Sequence, residues 1–259
     1  MSRRPDVSVS TIILAAGLGR RLWPLTQHSP KSLIDLGDGS TLLSRQIDLL
    51  ESQVGVSSIT IVAGHLAHQI DDFVALRDNS DIQVRFNPFY DGFSALVSIW
   101  LCRDILLSGD FMVCNGDTLF APDVYDCIFD HTTIEGAYLV VSMTTEGARV
   151  DEVRALVEGD RIISVGKQLQ NGNARSAGML VVVGAETRKR VAHVMDEMVR
   201  HPPNLKMDAP WHEWVNALTA RGVPIRAIPV AESTWNEIDV HPDVDELWRN
   251  MTGRPLPQV

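Results

Sequence analysis

The chain has 259 residues, 45% of them hydrophobic and 22% charged, with a formal net charge of −10. This is the composition of an ordinary soluble globule able to bury a substantial core; it contains no apolar run near the roughly 20 residues of a membrane span and no extended basic face for a long nucleic acid. The charge is uneven, because residues 1–31 hold Arg3, Arg4, Arg20, Arg21 and Lys31 against one acid, Asp6, and so carry +4 while the remainder carries −14.

In chain order, Val9 to Ala16 is a short apolar run with β-branched Val, Thr and Ile, bounded by glycine, and reads as a buried strand. It runs straight into a loop where Gly17 and Gly19 let bare backbone approach a ligand, while Arg20, Arg21 and Lys31 supply positive charge. Such a loop suits a polyphosphate. Leu43, Ile47, Leu50 and Val54 then fall at helical spacing, and Ser57–Ala63 reads as a second strand ending at Gly64. Ile70, Phe73, Val74 and Arg77 mark another helix, and Ile82–Phe86 gives a third strand stopped by Asn87-Pro88. Strands alternating with helices predict an α/β, Rossmann-like fold, a mixed and mostly parallel sheet flanked by helices, with ligands beyond the carboxyl ends of the strands. A fourth apolar run, Phe111–Cys114, ends in Asn115-Gly-Asp-Thr118, which puts Asp117 at a strand terminus on the ligand side, ahead of a helix opened by Pro122.

From Ala137 the pattern shifts toward strands, at 137–143, 154–157, 161–165 and 177–183, with Glu158-Gly-Asp as a hairpin turn. A single domain over 1–259 is expected, with a strand-rich part at about 137–235. Lys167 follows Gly166 at a strand end, in a chain with 19 arginines and only four lysines. Val191, Val194, Met195 and Met198 mark an amphipathic helix facing the core. His201 to Pro210 is a proline-punctuated loop of the kind that forms lids, Trp211–Leu218 is helical, and Ile225–Pro229 reads as an edge-type strand that tolerates its proline. Alternation along an extended Trp235-Asn-Glu-Ile-Asp239 places Trp235, Glu237 and Asp239 on one face, ahead of a helix from His241 to Trp248. Helix or turn capping alone is the competing reading for Asp117 and for Asp239. Cys102, Cys114 and Cys127 form no Cys-x-x-Cys pair and read as reduced thiols, which fits the cytoplasm.

The glycine loop matches neither of two common phosphate-binding motifs. No glycine is followed by Lys and Ser or Thr at P-loop spacing, and Leu22 stands where a dinucleotide fingerprint needs a third glycine or alanine. Instead, Ala15-Ala-Gly-Leu-Gly-Arg-Arg-Leu-Trp-Pro-Leu-Thr26 followed by Pro30-Lys-Ser-Leu33 resembles the signature loop of the nucleotidyltransferases that make nucleoside-diphosphate sugars and CDP-alcohols. Asn87-Pro-Phe-Tyr90, Ser98-Ile-Trp100, Asn115-Gly-Asp117, Gly166-Lys167 and Trp235–Asp239 also fall in the order of the phosphocholine cytidylyltransferase-like subgroup.

This resemblance implies the nucleotide-diphospho-sugar transferase type of fold and nucleotide contacts from Ala15, Ala16, Gly17, Leu18, Gly19, Arg20, Gly64 and Asn115. It implies Mg²⁺ held by Asp117 and Asp239, with Glu237 a weaker candidate beside them. Arg21 would face the departing phosphates, Lys31 the α-phosphate region and Lys167 the acceptor phosphate. The implied reaction is transfer of a nucleoside monophosphate, CMP from CTP foremost, to phosphocholine or another alcohol phosphate, with pyrophosphate leaving. An acceptor phosphate oxygen attacking the α-phosphorus needs no protein nucleophile, so catalysis rests on positioning and charge neutralisation. A sugar-1-phosphate nucleotidyltransferase using UTP, GTP or CTP and a non-catalytic nucleotide-binding regulator are the alternatives; neither a nucleic acid nor a membrane is expected as partner. Tyr90, Trp100, Trp211, Trp214 and Trp235 are candidates for an aromatic box around a trimethylammonium group. Ser94 and Ala95 stand where the subgroup commonly has Asn-Asn, which leaves base choice and acceptor open.

Overall fold

The computed structural model describes residues 8–93, 95–145, 152–201 and 210–252. The expectations attached to Arg3, Arg4 and Asp6, to Ser94 and to the loop interior at 202–209 fall outside the described residues.

One nine-stranded sheet organises the chain, in the order β3-β2-β1-β4-β9-β6-β10-β8-β7. Its first side is parallel: β1 (Val9–Ala15) lies between β2 (Val56–Ala63) and β4 (Asp110–Asn115), with β3 (Ile82–Phe86) outside β2. The central strands are almost wholly buried, so continuous apolar runs rather than alternating ones are what this sheet requires. The connecting helices α1 (Leu42–Glu51), α2 (Ala67–Ala75), α3 (Ala95–Trp100) and α4 (Arg103–Ser108) cover the faces. α1 starts at a reciprocal cap: Ser44 N–H donates to Thr41 Oγ1 and Thr41 N–H to Ser44 Oγ. Val54 does not extend that helix. The chain turns after Glu51, and Val54 is fully exposed in the turn before Gly55, where any side chain would strike the Phe129 ring.

The second side is mixed. β9 (Ala174–Val183) joins β4 antiparallel and then pairs antiparallel with β6 (Gly136–Ser142). β10 (Ile225–Val230) runs parallel to β6, while β7 (Arg154–Glu158) and β8 (Arg161–Gly166) form the hairpin expected around Gly159. β7 also pairs with β9, so these five strands close a circuit. The edge reading of Ile225–Pro229 is corrected here: β10 is interior, and Pro229 is accommodated because β8 is registered with β10 only at Arg226↔Arg161 and leaves the proline nitrogen unopposed. α5 (Pro122–His131), α6 (Ala185–Arg200) and α7 (His212–Ala220) complete the layers. A two-stranded sheet pairs β5 (Thr118–Phe120) with β11 (Trp235–Glu237), and α8 (His241–Thr252) follows it.

Two apolar clusters occupy the two faces of the sheet, and a third, built from Leu22, Ile34, Leu36, Leu42, Ile238 and Val244, packs the glycine loop against the segment before α8. That small core brings residues 20–31 beside Asp239. Among the described residues no helix is long and apolar enough to cross a membrane.

Candidate active site

The parallel register aligns the ends of β1 and β4 at Leu14↔Asn115, so the loops following them lie side by side. Gly116 makes this possible: its N–H donates to the Leu14 carbonyl at 3.0 Å, and a Cβ there would stand 2.6 Å from that oxygen. Gln46, a buried amide on α1, donates to the carbonyls of Asn115 (2.9 Å) and Thr118 (2.6 Å) and pins the turn carrying Asp117. In the glycine loop, Gly19 is left-handed (φ 61°) and packs on Thr26 and Lys31, with Thr26 Oγ1 donating to its carbonyl at 2.8 Å. Gly17 has nothing within 4 Å of where its Cβ would be and opens onto a hollow.

That first hollow, about 280 Å³, is lined by Ala15, Gly17, Gly19, Arg20, Arg21, Lys31, Asp117 and Asp239. Lys31 Nζ lies 2.7 Å from Asp117 Oδ2 and 2.9 Å from Asp239 Oδ1, and Arg21 pairs with the other Asp239 oxygen. Burial pulls the Lys31 pKa down, but the charges and hydrogen bonds of the two aspartates outweigh it and raise it above its ordinary value. The capping readings do not hold. The N–H groups of Asp239 and Val240 donate to Asp243, which caps α8, and α5 starts after Ala121 with no side-chain cap. Both aspartate side chains are therefore directed at the cations of the hollow. Asp117 Oδ1 is buried with no hydrogen-bond partner among the described residues.

A second hollow, about 320 Å³, shares Leu14, Gly17, Arg21 and Asp117 with the first and adds Asn87, Tyr90, Phe93, Asn115, Lys167, Trp211, His212 and Glu237. Asn87 holds its wall: its amide donates to Ser98 Oγ at 2.9 Å and its carbonyl oxygen accepts Phe89 N–H at 2.8 Å, while Arg20 pairs with Asp91 at 3.2 Å. Trp211 Nε1–H donates to Asn115 Oδ1 at 2.8 Å. Burial, then the charges of Asp117 and Asp239, push the Glu237 carboxyl up to about 8.

Arg21, Lys31, Asp117 and Asp239 thus converge, with Lys167 and Glu237 on the adjoining hollow. Leu18 and Gly64 line neither hollow. Gly64 sits beneath, where a Cβ would stand 2.4 Å from Tyr90 Cβ and 2.6 Å from the Ala16 carbonyl oxygen, so its smallness serves packing. Of the five aromatic candidates, Tyr90 and Trp211 reach the second hollow. The other three do not: Trp100 donates to Asp196, Trp214 is fully buried and donates to the Val191 carbonyl, and Trp235 packs on the core beneath the Arg175 guanidinium. Sequence reasoning missed Phe93 and His212, because neither belongs to a spaced motif.

Among the described residues no group of three or more His, Cys, Asp or Glu side chains converges into a metal cage. A hard cation that keeps its waters and shares substrate phosphates needs only one or two carboxylates. Asp117 and Asp239, with the unpaired Asp117 Oδ1, fit that requirement.

Against known proteins, a family model described as nucleotidyl transferase matches residues 10–152. Choline-phosphate cytidylyltransferase of Streptococcus pneumoniae is 34% identical over 98 residues, 38% of this chain and 41% of that protein, so this match spans less than half of the relative's length. 2-Aminoethylphosphonate cytidylyltransferase of Lancefieldella rimae is 28% identical over 210 residues, 80% of this chain and 79% of that protein. The solved structure of the inositol-1-phosphate CTP transferase from T. maritima superposes with a TM-score of 0.78 at 21% identity, covering 97% of this chain and 99% of that one, which establishes the shared nucleotide-diphospho-sugar transferase fold.

Proposed function

We propose that this chain, which belongs to the nucleotidyl transferase family, transfers a nucleoside monophosphate, CMP from CTP foremost, to a small phosphorylated acceptor and releases pyrophosphate. The observation that carries the reading is the pair of joined hollows, one floored by bare glycine backbone with Arg21, Lys31, Asp117 and Asp239, the other holding Lys167. A triphosphate and a phosphorylated acceptor would meet where the two share Gly17, Arg21 and Asp117.

In this mechanism the Gly17–Gly19 backbone admits the polyphosphate, Arg21 neutralises the departing phosphates and Lys31 the α-phosphate region. Lys167 holds the acceptor phosphate in line, so one of its oxygens forms the new P–O bond at the α-phosphorus as the bond to pyrophosphate breaks. Asp117 and Asp239 would hold Mg²⁺, which when bound neutralises phosphate charge and polarises the phosphoryl group. On this reading the nucleotide side falls on the parallel strands, and the acceptor lies between the strand-rich part at about 137–235, with Lys167, Trp211 and His212, and residues 87–98, with Asn87, Tyr90 and Phe93. Tyr90, Phe93 and Trp211 beside Glu237 suit the head group of phosphocholine or a related alcohol phosphate. The free cysteines Cys102, Cys114 and Cys127 accord with a cytoplasmic setting.

The test is pyrophosphate release with Mg²⁺ and each of CTP, UTP, GTP and ATP against alcohol phosphates and sugar 1-phosphates, with Asp117→Asn as the blank. Release that requires one nucleotide and one acceptor is the expected result. Silence across the panel with nucleotide still bound would instead favour a nucleotide-binding regulator.

A further inference from the structure

His65 lines neither hollow, yet the glycine loop is fastened to it at both ends. Where the loop begins, the His65 backbone N–H donates to the Ala16 carbonyl at 3.0 Å. Where the loop ends, its ring Nε2 lies 3.1 Å from the Thr26 carbonyl. A carbonyl oxygen only accepts, so Nε2 carries the proton in this contact. Thr26 is fully buried, so no water stands in for that donor if the ring is removed, and a buried acceptor left unmade is costly. Within α2, Gln69 Nε2 donates to the His28 carbonyl at 2.9 Å and continues the same seam.

From Thr26 the hold passes into the part of the loop that faces the first hollow. Thr26 Oγ1 donates to the Gly19 carbonyl at 2.8 Å, and the left-handed Gly19 packs on both Thr26 and the Lys31 side chain. The His65 ring is itself braced by Tyr90, with centroids 6.3 Å apart and planes at 49°. The turn that delivers the ring is strained: Leu66, next in the chain, is left-handed (φ 51°), a conformation that is costly for a residue with a Cβ and persists where its surroundings demand it. Gly17 and Gly19 give the loop wide conformational freedom, and the contacts of His65 at Ala16 and Thr26 restrict it.

We propose that His65 is a positioning residue for nucleotide transfer: by clamping both ends of the glycine loop it holds the Gly17–Gly19 backbone and Lys31 in the arrangement a triphosphate requires, without touching substrate. This rests on the nucleotidyltransferase reading. A loop already held in its binding form loses less freedom when the ligand arrives, so the clamp acts on the nucleotide rather than on the acceptor.

The test compares His65→Phe, which keeps a ring against Tyr90 and removes the donor, with His65→Gln, whose amide nitrogen can take the place of Nε2. Hydrogen exchange on the full chain without ligand comes first. In His65→Phe the amides of Leu22 and Trp23, which donate to the Gly19 and Arg20 carbonyls, should exchange about tenfold faster, while those of Ile12 and Val113 in the central strands keep their wild-type rates. In turnover, KM for the nucleotide should rise about tenfold with KM for the acceptor nearly unchanged. His65→Gln should bring both readouts back close to wild type. Unchanged exchange in the loop overturns the proposal. So does equal acceleration in loop and strands, which would mean that His65 merely supports the fold, and so do equal rises in both KM values. Should His65→Phe fail to fold, Thr26→Val gives the second arm: it removes the hydroxyl that carries the hold to Gly19 and should open the same amides selectively, and unchanged exchange there counts against the proposal. Wild-type silence with every nucleotide and acceptor would sink the nucleotidyltransferase reading instead, while the exchange pattern would still decide whether His65 clamps the loop.

Discussion

On the β3-β2-β1-β4 side all strands run one way, so their carboxyl ends align, and the loops after β1 and β4 come within a backbone hydrogen bond of each other. What that side offers a ligand is open backbone at Gly17 and a compact set of charges. On the β9-β6-β10-β8-β7 side the strands run in mixed directions and close on themselves, so no common row of strand ends exists. That side instead offers individual side chains, Lys167 from the end of β8 and His212 from the start of α7, braced by Ser176 from within β9. Parallel register makes the first hollow, to which the proposed function gives the phosphates, a product of topology. The second hollow, to which it gives the acceptor, takes single side chains from the mixed half and sets them against Asn87, Tyr90 and Phe93.

This contrast can be broken most sharply at the charges. Asp117→Asn or Asp239→Asn should lower turnover by on the order of 10³-fold while changing affinity for the free nucleotide far less, measured by pyrophosphate release and equilibrium binding on the same preparation. Turnover at the wild-type level in either variant would remove the assigned role. The next effect belongs to the backbone. Gly64→Ala forces a methyl against the Ala16 carbonyl and Tyr90 and should cost about 3 kcal/mol in chemical denaturation. Gly17→Ala adds its methyl to open space and should unfold within about 0.5 kcal/mol of wild type yet bind nucleotide more weakly. If the two glycines behaved alike, the separation of packing from ligand approach would be wrong.

The same division governs what could be read from residues alone. Val9–Ala15, Ile82–Phe86 and the hairpin at Gly159 follow from local periodicity and turn chemistry, and Arg21, Lys31, Asp117 and Asp239 lie in contiguous motifs at strand ends, where topology dictates that they meet. The place of β10 was not legible, because whether a short proline-containing strand is an edge depends on how far β8 runs beside it. Nor was the sorting of Trp211 from Trp100, Trp214 and Trp235, since an aromatic at helical spacing looks the same whether it faces core or cleft. Phe93 and His212 left no sequence signal; their positions are set by Asn87 anchoring one wall and Ser176 the other.

Glu237 tests the border between the halves. Its folded pKa of about 8 lies above the ordinary 4.5, so between those values the native state holds more proton than the unfolded chain and stability falls as pH rises. Glu237→Gln should therefore be more stable than wild type at pH 8 by about 4 kcal/mol, with the difference fading as pH falls toward 4.5. Parallel denaturation curves in chelator-containing buffer from pH 4.5 to 8.5 check this, and a pH-independent difference would mean that neither burial nor the charges of Asp117 and Asp239 raise the Glu237 carboxyl.

The smallest effect should come from the acceptor wall. Trp211→Phe keeps a ring against His212 and removes only the Nε1–H that reaches Asn115 Oδ1. One neutral hydrogen bond contributes about 1 kcal/mol, so KM for the acceptor should rise about fivefold, with KM for the nucleotide nearly unchanged. The split between the two constants carries the information, because a ring that merely filled core would move both or neither. If the nucleotide KM rose with that of the acceptor, Asn115, which sits at the end of β4 and faces the second hollow, would belong to both substrates, and the two halves would meet at that amide rather than at Asp117.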